Sequence, residues 1–291
     1  MRAVLEAEWD AVLDRMGHDP CPGVVLRSDV EIRPESGHGP RLHAAVYEPE
    51  KRPNGPRPAV LGFHGGGFVT GEPHSMGALA KTLALSLGIV TVSASYRLGS
   101  EQDPTGLGIL EDAAWSWRYV RENASLLGID PERVAVAGES AGVLLAGHLA
   151  VGSPLVEAGM GGGRPAALYA FWGPVDLVAR WYDNGENAGA EVNVLGPGGF
   201  EARPVEYHSL SVLTHARSGA LPPALFVYGR NDPVVHARQA RLAAAAWRSA
   251  GAHAEQLILP NVGHGVAGDN REERRQVLEK AVAFGAARHV G

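Results

Sequence analysis

From residue 59 onward the chain alternates short apolar runs with longer helical stretches, and few architectures accept that alternation. Residues 59–63, 89–93, 134–137, 166–171, 224–228 and 255–259 are short, apolar and bounded by turn residues, which reads as strands. Between them, residues 75–87, 110–126, 141–151, 235–250 and 272–286 read as helices. Apolar strands joined through helices imply a parallel sheet covered on both faces. Two further strands are predicted ahead of this region, over 24–33 and 42–47, with a Gly/Pro-rich turn between them. Asp130-Pro131 reads as a turn leading into strand 134–137.

With 291 residues, 45% of them apolar, the chain can bury one large core. Leu5, Trp9, Val12, Leu13 and Met16 recur at helical spacing, so an amphipathic helix is predicted within 1–20. The strand–helix rhythm breaks at 176–220, a long stretch rich in Gly, Asn and aromatics. Such a loop inside a compact domain is usually functional or a small cap. The organisation expected is a single domain over 1–291, with 1–20 and 176–220 as cap elements.

A formal charge of −6, with no basic run, argues against a nucleic-acid partner. No apolar stretch reaches membrane-span length, so no membrane partner is expected either. Glu6, Glu8, Asp10 and Asp14 interrupt the region where a signal peptide would be continuously apolar. Cys21 is the single cysteine, which rules out an internal disulfide and suits a reducing compartment. A cytoplasmic location is expected on these grounds. A homodimer is left open.

The strongest chemical signal is Gly138-Glu139-Ser140-Ala141-Gly142, directly after strand 134–137 and directly before a helix. Gly-x-Ser-x-Gly in that context is a nucleophile elbow. The serine takes an unfavourable backbone conformation, its neighbours must be small, and the helix begins at the serine with its amides facing the reacting oxygen. A chance Gly/Ser turn is the bland alternative, and the strand–helix context weighs against it. The second signal is His64-Gly65-Gly66-Gly67-Phe68, just after strand 59–63. Amides of Gly65, Gly66 and Gly67 can stabilise a tetrahedral oxyanion, with that of Ala141 as a further donor. A phosphate loop would need a following Lys, and a dinucleotide fingerprint a glycine at Thr70. Both fail. His64 is expected to hold the loop by hydrogen bonding rather than to act as a base.

These two motifs together resemble the hormone-sensitive-lipase-like branch of bacterial esterases. Downstream segments, Phe171 to Leu177, Pro223 to Gly229 and Asn261 to Gly265, are also similar to acetyl-xylan-esterase-like and feruloyl-esterase-like hydrolases. The resemblance runs from about Val46 to the C-terminus. It implies the α/β-hydrolase fold, a mostly parallel sheet of about eight strands flanked by helices, and a serine carboxylesterase that needs no cofactor.

In that fold the nucleophile precedes an acid after a later strand, and a histidine follows the last strand. Ser140 is then the nucleophile, Asp232 the orienting acid after strand 224–228, and His264 the base after strand 255–259. Asp176 is the best rival acid, though it follows an earlier strand; Asp269 comes too late in the order. His208, His215, His236 and His253 are rival bases in the wrong positions. Two departures stand out. The segment after Leu98 reads Gly99-Ser-Glu-Gln-Asp-Pro104 in place of the usual Ala-Pro-Glu, and Val143 stands where a further glycine is frequent. Glu139 is expected to fix the loop by hydrogen bonding.

No zinc signature is present. The reading is hydrolysis of short-chain carboxylic esters, small molecules, with an amide hydrolase of arylformamidase or aminopeptidase-like type as the alternative. Phe68, where arylformamidase-like sequences tend to carry Trp, weighs against that alternative. A non-catalytic ligand-binding protein on a hydrolase scaffold is more remote, because the candidate Ser and His are both present. Trp9, Trp181, Tyr182, Phe200 and Tyr207 either line a small apolar site or form the cap's own core.

Overall fold

A computed structural model describes residues 12, 19, 21–35, 39–51, 55–217, 221–265 and 271–290. Within 1–20, where a helix is expected, only Val12, which is buried, and Asp19 are described. Eight strands are present: β1 (Val24–Arg33), β2 (Leu42–Pro49), β3 (Arg57–Phe63), β4 (Val90–Ala94), β5 (Ile129–Glu139), β6 (Leu168–Phe171), β7 (Ala224–Gly229) and β8 (Ala254–Leu259). They form one sheet in the order β1-β2-β4-β3-β5-β6-β7-β8. The β1–β2 and β2–β4 pairs are antiparallel, and every pair from β4 to β8 is parallel.

Alternation of side chains divides the interior into two layers. Leu61 and Phe63 of β3, Val134 and Val136 of β5, and Phe226 of β7 enter one core. It is covered by α2 (Gly108–Glu122), α4 (Gly142–Val151) and α9 (Arg238–Ser249), numbered in chain order with α1 (Gly77–Leu87) and α3 (Ala124–Leu127). Val60, Ala135, Ala137, Tyr169, Leu225 and Val227 enter the other, beneath α1 and α10 (Arg271–Arg288). Strands so placed are apolar on both faces, as the sequence pattern indicates. Among the described residues no single helix is long and apolar enough to cross a membrane.

Three local features differ from the sequence expectation. Asp130-Pro131 lies within β5 rather than ahead of it: Ile129 pairs with Arg57 and pairing resumes at Val134, with Asp130 Oδ1 accepting from the Glu132 amide at 3.0 Å. Helix α5 (Pro154–Met160) is an element that the sequence pattern does not indicate. The stretch 176–217 is not irregular throughout, for it contains α6 (Leu177–Asp183), α7 (Val192–Leu195), α8 (Pro204–Leu210) and a 3₁₀ turn at Val212–His215. Its periodicity is obscured because each helix is two turns or fewer.

Because β3 to β8 run parallel, the loops leaving β3, β5, β6, β7 and β8 emerge at one edge. Sites in open α/β sheets lie outside that carboxyl edge. β5 sits near the middle of the order, flanked by β3 and β6, so its loop is central.

Candidate active site

Ser140 lies in the turn between β5 and α4 with φ at 49°, in the left-handed region that a non-glycine residue enters only under constraint. The constraint is backbone packing. Ser140 N donates to the Phe171 carbonyl at 2.9 Å, and its own carbonyl accepts from Val143 N at 3.0 Å. A Cβ at Gly142 would stand 2.1 Å from the Phe63 carbonyl oxygen, and one at Gly138 would stand 2.4 Å from the Gly142 oxygen. The flanking glycines are needed for space. Helix α4 begins at Gly142, two residues after the serine rather than at it. Val143, the departure from the usual glycine, is buried, and a Cβ at Gly173 would meet its side chain at 2.3 Å.

Ser140, Asp232 and His264 are brought together. Ser140 Oγ is 2.8 Å from His264 Nε2, and His264 Nδ1 is 2.8 Å from Asp232 Oδ2. An ionised carboxylate only accepts, so Nδ1 carries the ring proton and Nε2 is left to accept from the serine hydroxyl. Asp232 Oδ1 accepts the amides of Val234 and Val235, both at 2.8 Å, which fixes the carboxylate in the turn after β7. The Asp232 side chain is fully buried, whereas that of His264 is 24% exposed and open to the cavity.

The rival residues are occupied elsewhere. Asp176 caps α6, accepting from Ala179 N at 2.9 Å. His215 bonds the Ser209 carbonyl, His253 pairs with Glu255, and His236 accepts the Arg238 amide. None of these, nor His208, lines the cavity at Ser140. Asp269 lies outside the described residues.

The cavity has a volume of about 340 Å³ and is bordered by Gly65, Gly66, Gly67, Ala141, Ser140 and His264. The backbone amides of the three glycines and of Ala141 donate to no acceptor among the described residues. Gly66, Gly67 and Phe68 all have positive φ, with values of 120°, 60° and 66°. His64 anchors this loop: it is buried, stacks on Tyr96 at 4.4 Å and donates from Nδ1 to the Gly65 carbonyl at 2.7 Å. Burial pushes its pKa below the ordinary value, so the ring stays neutral. Glu139 also borders the cavity, and no hydrogen bond from its carboxylate is found among the described residues, unlike the loop-fixing role expected. Burial pushes that carboxyl up to about 7.

Several residues escaped the sequence reading. Trp172, with φ at 41°, walls the cavity, and its amide donates to the Val227 carbonyl at 2.7 Å. Buried Gln239 of α9 ties down the start of the 176–217 stretch, accepting from Val175 N and Asp176 N and donating to the Asp176 carbonyl. Asn193 Nδ2 donates to the Gly67 carbonyl at 2.9 Å, which joins α7 to the glycine loop. The divergent segment after Leu98 holds both sides: Gly99 N donates to Phe68, Thr105 N to Asn193 and Gly106 N to Val194. Arg180 and Glu191 form a buried ion pair that also borders the cavity. A positive φ at a tryptophan, or an ion pair between residues eleven apart, has no one-dimensional signature. By contrast, Trp181 and Phe200 each pack edge-on against Tyr207, and Tyr182 against Phe200, and none of the four borders the cavity. Trp9 lies outside the described residues. Among the described residues no cluster of three or more His, Cys, Asp or Glu is placed to hold a metal ion.

A sequence model of the alpha/beta hydrolase fold matches residues 60–268. An ethyl acetate hydrolase of Pseudomonas putida is 37% identical over 125 residues, which are 42% of this chain and 38% of that protein. The esterase LipI of Mycobacterium tuberculosis is 33% identical over 149 residues, 51% of this chain and 44% of that protein. The chain thus matches less than half the length of these curated relatives. Among solved structures, a thermophilic esterase of the planctomycete Thermogutta terrifontis with propionate bound has a TM-score of 0.73 at 26% identity, covering 92% of this chain and 96% of that one. An acetyl ester-xyloside bifunctional hydrolase of Caldicellulosiruptor lactoaceticus has a TM-score of 0.72 at 20% identity, covering 91% and 97%, a likeness of fold alone. With its sheet order, its elbow and a family match over well more than half its length, the chain belongs to the α/β-hydrolase fold family, in the hormone-sensitive-lipase-like branch.

Proposed function

We propose that the chain is a carboxylic ester hydrolase working through an acyl-enzyme on Ser140, with His264 as base and Asp232 as orienting carboxylate. The observation that carries this is the 2.8 Å approach of Ser140 Oγ to His264 Nε2, backed by the equally short contact to Asp232. As Oγ attacks the ester carbonyl carbon, Nε2 takes its proton, and the adjacent carboxylate stabilises the imidazolium that forms. The carbonyl oxygen gains charge and is met by amides from Gly65, Gly66, Gly67 and Ala141. His264 then returns the proton to the leaving alkoxide, which departs as the alcohol. Water repeats the sequence on the acyl-enzyme and releases the acid.

Relatives support the ester class, since those matched include an ethyl acetate hydrolase and several esterases. Short acyl groups fit a cavity of about 340 Å³ bordered by Trp172, Phe68 and the charged pair Arg180–Glu191. A methylene gains about 0.8 kcal/mol on burial, but past a closed wall overpacking costs about 1–3 kcal/mol. The chain folds as a single domain in this proposal, with 176–217 as a cap that contributes Arg180, Ala190 and Glu191 to the wall. Nitrophenyl esters from acetate to dodecanoate, assayed with wild type and Ser140→Ala, test both parts. Turnover should fall on the order of a million-fold in the variant, and wild-type kcat/KM should peak at or below hexanoate. Near-normal turnover by Ser140→Ala removes the mechanism; a kcat/KM climbing through dodecanoate removes the closed cavity.

A further inference from the structure

Arg180 and Glu191 are an unusual wall for a cavity that accepts hydrocarbon. They retain 4% and 3% of their surface exposure, and both border the space above Ser140. Arg180 Nη1 donates to both oxygens of the Glu191 carboxylate. That leaves Nε and Nη2 with no acceptor among the described residues, and Nε is fully buried. The nearby Tyr207 hydroxyl is also buried without a partner.

A purely structural role, joining α6 to the start of α7, requires only the Nη1 contact. It requires neither the unmatched donors nor a position on the cavity. The chain also makes room for the guanidinium. A Cβ at Gly189 would lie 2.1 Å from Nη1 and 2.4 Å from Nη2, and Gly189 has no positive φ that would call for glycine on backbone grounds. Glycine there serves the arginine. An ion pair removed from water is generally no more stabilising than apolar residues of similar volume. A wall so built therefore acts on what enters the cavity.

The pair is neutral overall, so it offers a donor and an acceptor side by side rather than a net charge. An anion would gain from Arg180 and be repelled by Glu191. A hydroxyl suits both, accepting from the guanidinium and donating to the carboxylate. We propose that Arg180 and Glu191 are specificity-determining residues that select esters carrying a hydroxyl group in the acyl or alcohol portion over esters with a methyl group in its place. This rests on the ester-hydrolase reading and names the substrate class of the same site.

Matched pairs test it. Methyl 3-hydroxybutanoate is compared with methyl 3-methylbutanoate, and 2-hydroxyethyl butanoate with propyl butanoate, by kcat/KM on wild type and on Arg180→Met/Glu191→Met. The double variant removes both charges together, so neither is left buried alone. The ratio within a pair is read on one preparation, which cancels any loss of folded protein. Wild type should favour the hydroxyl member of at least one pair about tenfold, and the double variant should bring that ratio to near one or below. A wild type that cleaves both methyl-bearing esters as well as their partners overturns the selection, as does a ratio unmoved by the double variant; a lowered Tm with an unmoved ratio assigns the pair to structure. Failure of wild type on all four esters removes the ester-hydrolase reading and this inference with it.

Discussion

The elbow at Ser140 and the stretch 176–217 face the same cavity, yet they are held in place by different means. Around the elbow nearly every constraint is backbone against backbone: the Phe63 carbonyl against Gly142, the Ser140 carbonyl against Gly173, the Ser140 amide on Phe171. The stretch 176–217 also has backbone bonds, from Thr105 and Gly106 to the Asn193 and Val194 carbonyls, but side chains reach across it at several points. Gln239 fixes its entry, Ser211 Oγ accepts the Leu177 amide, Asn193 reaches Gly67 and Arg180 meets Glu191. A backbone-defined turn tolerates no added atom and presents one geometry. A side-chain-defined wall can be rebuilt by substitution while the turn stays intact. In the proposed mechanism, chemistry and substrate choice are thus assigned to separate parts of one cavity.

That contrast can be broken at either side. The largest effect expected is on turnover: Asp232→Asn should lower kcat about 10⁴-fold with little change in Tm, because the imidazole loses its orienting acceptor. Steady-state kinetics beside thermal unfolding checks this, and a variant within tenfold of wild type points to another acid. Next is Gly142→Ala, whose Cβ meets a strand carbonyl at 2.1 Å and cannot be relieved by a rotamer change. It should cost about 4 kcal/mol or more. Gly189→Ala, which meets only the end of an arginine side chain, should cost about 1–2 kcal/mol. Equal losses in urea unfolding contradict the distinction drawn here.

Glu139 gives an effect that depends on pH. Its carboxyl titrates at about 7 in the folded protein against an ordinary 4.5, so the folded state holds the proton more tightly. The stability this contributes is complete below the unfolded value of 4.5 and is lost as pH rises through 7, up to roughly 3 kcal/mol. Glu139→Gln should flatten that part of the stability–pH curve, measured by denaturant unfolding at pH 5 and 8.5. Parallel curves for the two proteins assign the slope to other groups. The smallest effect is Asp176→Ala, which removes the cap on Ala179 N and should cost about 1 kcal/mol while turnover stays within a few-fold. A collapse of turnover in that variant, with Asp232→Asn near normal, reverses the choice of acid.

The same contrast decides what could be read in advance. Strands such as β3 and β7 are apolar on both faces, and the elbow needs glycine on either side of its serine; both leave a local imprint on the sequence. Asp232 and His264 were placed by chain order within the fold the motifs imply. The strand order, with β4 between β2 and β3, leaves no such imprint. Neither does Trp172, which combines a positive φ with a bond to Val227 on the neighbouring strand, nor Gln239, which sits 64 and 63 residues from the two amides it holds. Asp130-Pro131 resembles a turn, but it lies within β5, which pairs on both sides of it. The short helices α6 to α8 lack the length for a period to show.

The central claim is that Ser140 is the one activated nucleophile. A dialkyl nitrophenyl phosphate reports this directly: Oγ attacks phosphorus, His264 takes the proton, and nitrophenolate leaves. Intact mass and peptide mapping of the treated protein should show a single dialkylphosphoryl group on Ser140, with one equivalent of nitrophenolate released. Ser140→Ala should acquire none, and His264→Ala should label far more slowly. A modification at another residue, or equal labelling of wild type and Ser140→Ala, contradicts the account.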